Sequence, residues 1–310
     1  MALWVYLYFP CLQLDTLFFD KKSAVVVVDT RNNNIIQVNK EAAVAGIKLG
    51  MGLGTAASLC RDIQVHSFES EIERQTLIRV ANWLYLVTAD IVLPISAKNT
   101  AVVEHSGLLL RVSNMLSLYG DINKYWQTLQ QHMKTLDIHY QYASGYSPYA
   151  AMLLAKNGVN QVLDDKSMLE KLVKRQPLAA SELTLKSIES LNRVGVHTMA
   201  ELLSLSLTDV AKRFDIDVVN YLGRLTGQLH HSVDLYHPQD SFEHYLELLF
   251  EVSNRLYLHK PLLKLYQLLE TFLSLRDKRT HETIVSLHFR DQPKQEIAIG
   301  SAKAEYKAQA

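Results

Sequence analysis

Leu3-Trp4-Val5-Tyr6-Leu7-Tyr8-Phe9-Pro10 is a run of aromatic and branched apolar residues closed by a proline. A run this short, and apolar at every position, reads as a strand buried on both faces. Residues 24–29, with four consecutive valines before Asp29, have the same character. Outward from these two strands the pattern alternates. Residues 71–87 place Ile72, Leu77, Ile78, Ala81, Leu84 and Tyr85 at helical spacing, and 119–136 repeat that period. Residues 101–104 and 108–112 read as strands broken at Ser106-Gly107, and 139–144 as another. Strands mixed with helices over the first 165 residues predict an α/β or α+β domain.

From about residue 166 the strand signals stop. Residues 183–194, 198–203 and 208–214 read as helices, with Gly195 placed for a left-handed helix end and Thr198 for the cap of the next helix. The polar stretch 230–241 reads as a solvated linker. After it, 242–252 and 284–289 are strand-like and flank an amphipathic helix over 261–276.

Composition narrows the class. The chain has 310 residues, 48% of them hydrophobic, and two cysteines, Cys11 and Cys60, too few for a disulfide scaffold or a metal cluster. No apolar stretch approaches the roughly 20 residues of a membrane helix, and Met1-Ala2-Leu3-Trp4 lacks a basic leader, so the expected location is the cytoplasm. Basic and acidic residues balance at 32 each, and the balance holds region by region. A grip on a nucleic-acid backbone ordinarily shows as a basic excess, so only weak DNA contact is expected.

Five segments, in order, resemble the Y-family (DinB/UmuC-type) translesion DNA polymerases. The opening strand resembles the family's first, which ends in Asp-hydrophobic-Asp; Tyr8 and Pro10 stand at those two places. Val38-Asn39-Lys40-Glu41-Ala42-Ala43-Val44-Ala45-Gly46-Ile47-Lys48-Leu49-Gly50-Met51 resembles the fingers motif, with Lys40 for its tyrosine and Ala43 for its triphosphate arginine. Ser106 and Gly107 stand for the Asp-Glu pair of the palm, and Ala150 in Gly145-Tyr146-Ser147-Pro148-Tyr149-Ala150 for a phosphate-binding lysine. In the thumb, residues 182–198 resemble a helix-hairpin-helix whose two glycines are Glu182 and Thr184, a carboxylate that would repel a phosphate backbone. Lys186, Gly195 and Thr198 are the residues left there for weak DNA contact.

The frame is kept while the groups for two-metal phosphoryl transfer are replaced. That pattern is similar to the ImuB group, the catalytically degenerate branch of the family. Leu7-Tyr8-Phe9-Pro10 and Gly107-Leu108-Leu109-Leu110-Arg111-Val112-Ser113 resemble its Leu-His-Phe-Pro and Gly-Leu-Leu-Leu-Asp-Val-Ser, with Arg111 departing from the aspartate. The resemblance implies a right hand: a palm over 1–34 and 66–165, fingers over 35–65, a helical thumb over 166–229, and a little finger over 240–310 that stops short at Ala310. It implies no catalytic residue, metal or cofactor. It also implies a role as adaptor in SOS-induced mutagenic translesion synthesis, with an error-prone replicative-type polymerase, ImuA and the sliding clamp as partners, the clamp motif falling beyond Ala310. Two alternatives stay open: a divergent active polymerase drawing carboxylates from Asp15, Asp29 or Glu104, and a DNA-binding module without polymerase activity.

Several further groups have plainer readings. His230, His231 and His237 are expected to be solvated rather than metal ligands, and Tyr146 and Tyr149 to pack rather than stack on bases. Leu262, Leu263, Leu265, Leu268, Leu269, Phe272 and Leu275 are expected to pack on their own sheet. Ser113, His105 and Asp121 lack the nucleophile elbow that a hydrolase triad of this kind requires.

Overall fold

The opening run forms β1 (Trp4–Tyr8), which lies inside a four-stranded sheet and is paired on both edges. The computed structural model describes residues 2–18, 23–93, 107–238, 241–246, 248, 254–289 and 293–307. Its strands, in chain order after β1, are β2 (Val25–Val28), β3 (Ile35–Val38), β4 (Gln64–Ser67), β5 (Ile91–Val92), β6 (Gly107–Arg111), β7 (Gln141–Gly145), β8 (Thr280–Leu287) and β9 (Gln295–Glu305). The first sheet has the order β5-β6-β1-β7, all antiparallel. Tyr8 pairs with Gly107 and Gln141, Tyr6 with Leu109 and Ala143, and Trp4 with Arg111 and Gly145. Residues directly opposite share a face, so Trp4, Tyr6, Tyr8, Gly107 and Gly145 lie on one side and Val5, Leu7, Leu108 and Leu110 on the other.

Pro10 closes β1, and helix Leu12–Phe18 follows. Helices Ser70–Leu84 and Ile122–Met133 send Leu77, Val80, Ala81, Leu84, Tyr125 and Leu129 into the same buried cluster as β1 and β6. Their ends are clasped: the Trp83 and His132 rings stack at 4.5 Å, Trp83 Nε1 donates to the His132 carbonyl (3.1 Å), and His132 Nε2 meets the Trp83 carbonyl (2.8 Å). Helix Pro148–Lys156 opens with Ser147 as cap and proline in its first turn, where a missing N–H costs nothing. It lies so close to the sheet that a Cβ on Gly145 would stand 2.5 Å from the Ala151 nitrogen, so only glycine fits there.

The second sheet, in the order β3-β2-β4, pairs β2 antiparallel with β3 and parallel with β4. Its four valines are buried on both faces, as the unbroken apolar run requires. Asn39 ties this sheet to helix Lys40–Val44. Its Oδ1 accepts from the Ala42 (2.9 Å) and Val25 (3.0 Å) amides while its Nδ2 donates to the Ser23 carbonyl (2.8 Å). Between the sheets lies a buried polar relay: Gln37 Nε2 donates to Glu73, the Leu14 amide donates to Gln37 Oε1, and Gln13 bridges the Ser67 carbonyl and the Glu69 amide.

Helices Lys166–Lys174, Leu185–Arg193, Met199–Ser204, Leu207–Arg213 and Ile216–Leu225 complete the helical region. Gly195 adopts φ +83°, and Thr198 and Glu201 form a reciprocal capping box. The stretch expected to be a solvated linker is instead anchored, because Val233, Leu235 and Tyr236 have apolar surface to bury. The Tyr236 amide donates to the Ile91 carbonyl and its hydroxyl to Asn82 Oδ1.

Chain contacts divide the molecule into two units, Met1–Tyr236 and His237–Ala310. The second carries helix His259–Ser274 and the antiparallel pair β8-β9, linked by a Tyr266–Thr283 hydroxyl contact (2.9 Å). The residues expected to pack there are all half-buried, and Leu273, outside that set, is buried. Of the expected strand over 242–252, residues 242–246 and 248 are described and are not a strand: Phe242 is held by its ring against Phe272 (5.4 Å) rather than by a ladder. Its remaining residues, and the expected strand 101–104, lie outside the described ones. No helix among the described residues is long and apolar enough to cross a membrane.

Asn39→Ala removes a helix cap and two links to the sheet together, and is expected to cost about 2 kcal/mol in chemical denaturation; a loss below about 0.5 kcal/mol contradicts this account of the cap.

Candidate functional site

Tyr8 and Gly107, two of the four positions at which the resemblance expects a carboxylate, are direct partners across the β1–β6 ladder. The structure adds a third residue that the motif comparison passed over. Tyr6 lies two residues along β1 on the same face, and its ring covers Gly107 so closely that a Cβ there would stand 2.1 Å from the phenol oxygen and 2.8 Å from the Leu7 carbonyl oxygen. Strand alternation alone would have found it, since residues i and i+2 share a face. Pro10, by contrast, lies past the end of β1 in the turn and has no place in this group. Ser106, Glu104 and His105 lie outside the described residues.

Burial sets the chemistry of the group. Tyr6 is 3% exposed, and its phenol is pushed far above the ordinary tyrosine range, first by burial and then by the negative charge of Glu182 and by Tyr8. Tyr8 is raised for the same leading reason, with Cys11, Glu73 and Glu182 adding. The Cys11 thiol, pushed up to about 11 by burial, donates to the Val38 carbonyl (3.4 Å) and is inert as a nucleophile near neutral pH. Two neutral phenols and a glycine do not suit magnesium, which takes hard, charged oxygens in octahedral array. At Tyr6, Tyr8 and Gly107, the described residues therefore do not fit the metal pair that the resemblance implies. Among the described residues, no three His, Cys, Asp or Glu side chains converge on a point that could hold a metal ion.

The other candidate carboxylates are engaged elsewhere. Asp15 accepts from the His139 amide (2.9 Å) and faces its Nδ1 (3.1 Å), while burial raises its carboxyl against those bonds. Asp29 closes a turn beside β2, accepting from the Arg31 amide (3.0 Å) and from its guanidinium (3.1 and 3.0 Å), which holds its carboxyl below the usual range. Lys40 and Ala43 are exposed on helix Lys40–Val44 of the second sheet. Ala150 is buried against Gly145, with its amide bonded to Ser147 Oγ (3.1 Å). Arg111 pairs with Asp90 (2.9 Å), which Asn114 also reaches (2.6 Å), so it anchors the end of β6 to the loop before β5. Ser113 Oγ accepts from the Leu3 amide (2.6 Å) and Asp121 caps helix Ile122–Met133, so neither is poised for hydrolysis.

In the helical region, Lys186 is exposed 3.8 Å from Asp215. Thr184 caps helix Leu185–Arg193 through the Ser187 amide (3.2 Å). The Glu182 carboxylate is ion-paired with Lys156 at the end of helix Pro148–Lys156, at side-chain exposures of 22% and 10%. Burial pushes the Lys156 ammonium down, and Glu182 opposes that shift. Beside this pair, Ser147 Oγ donates to the Leu225 carbonyl (2.7 Å), Tyr149 meets Tyr221 edge to face (5.4 Å), and His231, read from sequence as solvated, is half-buried against Tyr149 (5.2 Å). Tyr146 is fixed by a hydroxyl bond to the Asp164 carbonyl.

Residues 7–156 match the family described as impB/mucB/samB. No curated protein matches the chain. Among solved structures, it is similar to a Y-family DNA polymerase chimera of Dbh and Dpo4, with 14% identity, a TM-score of 0.56, and coverage of 97% of this chain and 88% of the chimera. DinB from Sulfolobus solfataricus gives 14% identity, a TM-score of 0.55 and the same coverages. An insertion ternary complex of Dbh DNA polymerase gives 13%, 0.57, 98% and 89%. The chain thus has the α+β fold of a Y-family DNA polymerase over nearly all its length.

Lys156→Ala strands a part-buried carboxylate and is expected to cost about 3 kcal/mol by denaturant titration, whereas a Lys156→Met, Glu182→Leu pair stays within about 1 kcal/mol of the parent. Equal losses in the two variants contradict a buried pair.

Proposed function

We propose that the chain is a non-catalytic, polymerase-shaped adaptor of SOS-induced mutagenic translesion synthesis, of the ImuB kind. The observation that carries this reading is the triad Tyr6, Tyr8 and Gly107 on the face of the sheet where the resemblance calls for metal-binding carboxylates. Two-metal phosphoryl transfer needs several carboxylates converging on both ions, and this face offers neutral rings. On this reading the four-stranded sheet and its helices are the palm (1–34 and 66–165), the second sheet the fingers (35–65), the helical region the thumb (166–229), and residues 240–310 a partial little finger. The partners are an error-prone replicative-type polymerase, ImuA and the sliding clamp, in the cytoplasm. Contact with DNA is weak and runs through Lys186, Gly195 and Thr198.

A second reading, a divergent active polymerase, draws support from the family match itself. With Asp15 and Asp29 bound elsewhere, it leaves Glu104 to supply the metal's carboxylate.

Primer extension on an undamaged template, with magnesium and then manganese beside an active Y-family enzyme, separates the two. The expected result is no incorporation by this chain at any concentration at which the control extends fully. Template-dependent incorporation that disappears in a Glu104→Ala variant overturns the adaptor reading.

A further inference from the structure

Gly107 is bare, yet the space above it is not empty, because the Tyr6 ring lies where its side chain would project. Tyr6 shares one continuous buried cluster with Leu154 of helix Pro148–Lys156 and with Leu183, Leu191 and Tyr221 of the helical region. The Lys156–Glu182 pair crosses the same seam, and the Ser147–Leu225 and Tyr149–Tyr221 contacts run beside it. Charged groups this buried hold a fixed geometry, since separating them leaves a desolvated charge without its partner. Packed rings and aliphatic side chains around them leave no room for small adjustments.

We propose that Tyr6 is an internal plug: its phenol ring fills the space over Gly107 and, with the Lys156–Glu182 pair, latches helices Leu185–Arg193 and Ile216–Leu225 onto the four-stranded sheet as one closed block. Sheet, ring and helices are then parts of one continuous core. The side chains at positions 6 and 107 are mutually exclusive, so their effects on stability are coupled rather than additive. The plug holds whether or not the chain is an adaptor, because it concerns packing and not nucleotide chemistry.

Hydrogen–deuterium exchange on the full chain, with thermal unfolding of the same variants, tests it. Gly107→Ala is expected to lower the melting temperature sharply, and Tyr6→Val added to it is expected to restore part of the loss. Tyr6→Val alone is expected to raise exchange several-fold in both latched helices, leaving helices Lys40–Val44 and Leu53–Leu59 unchanged. Leu110→Val, on the opposite face of the same sheet, leaves the latched helices protected. Should Tyr6→Val not fold, Glu182→Gln carries the exchange arm with the same expected pattern. Faster exchange confined to β1 and β6, faster exchange in the latched helices of Leu110→Val as well, or a Gly107→Ala variant as stable as the parent, overturns the plug. Primer extension reads neither quantity, so failure of the plug and failure of the adaptor reading stay distinguishable.

Discussion

The register of β1 is the constraint on which the rest of the first unit depends. Because β1 is paired on both edges, a shift of one residue would move every one of its side chains to the other face and break two ladders at once. With the register fixed, Tyr8 stands opposite Gly107 with the Tyr6 ring reaching over it, Trp4 stands opposite Gly145, and Val5 and Leu7 face Leu110 and Leu108. The two glycines then do different work. Gly145 admits a helix backbone, which brings Lys156 within reach of Glu182, whereas Gly107 admits an aromatic ring. Sheet, following helix and helical region are held together through those two missing side chains.

Much of the frame was legible in the sequence because its signals are local. The opening run, the four valines, the helical periods at 71–87 and 119–136, and the turn at Gly195 with its Thr198 cap all show in hydropathy and cap chemistry. Strands β3, β4 and β9 did not, since Ile35–Val38, Gln64–Ser67 and Gln295–Glu305 are short, polar or small-residue segments whose strand character comes from their neighbours. Residues 230–238 misled for a related reason: their polar composition hides three apolar side chains that find surface only after the first sheet has formed.

The candidate site was half legible. Tyr8 and Gly107 follow from motif order, and their pairing follows from the ladder. Tyr6 stands at no motif position; strand alternation puts it on the face of Tyr8, and only the structure shows the space it fills. Glu182 shows the limit of reading charge from sequence. A carboxylate in a loop is assumed to face water, yet a lysine at the end of a helix 26 residues earlier in the chain draws it inward. The Arg111–Asp90–Asn114 cluster is a parallel case, in which an unexpected charge in a strand serves to tie down a loop.

The steric exclusion between residues 6 and 107 also bears on substitution. With an aromatic ring at one position and no side chain at the other, neither can be changed alone without cost. Any side chain added at 107 meets the ring, and any smaller residue at 6 leaves a void in the core. Each single substitution at either position is expected to give a less stable protein, so the two positions tolerate change only as a pair.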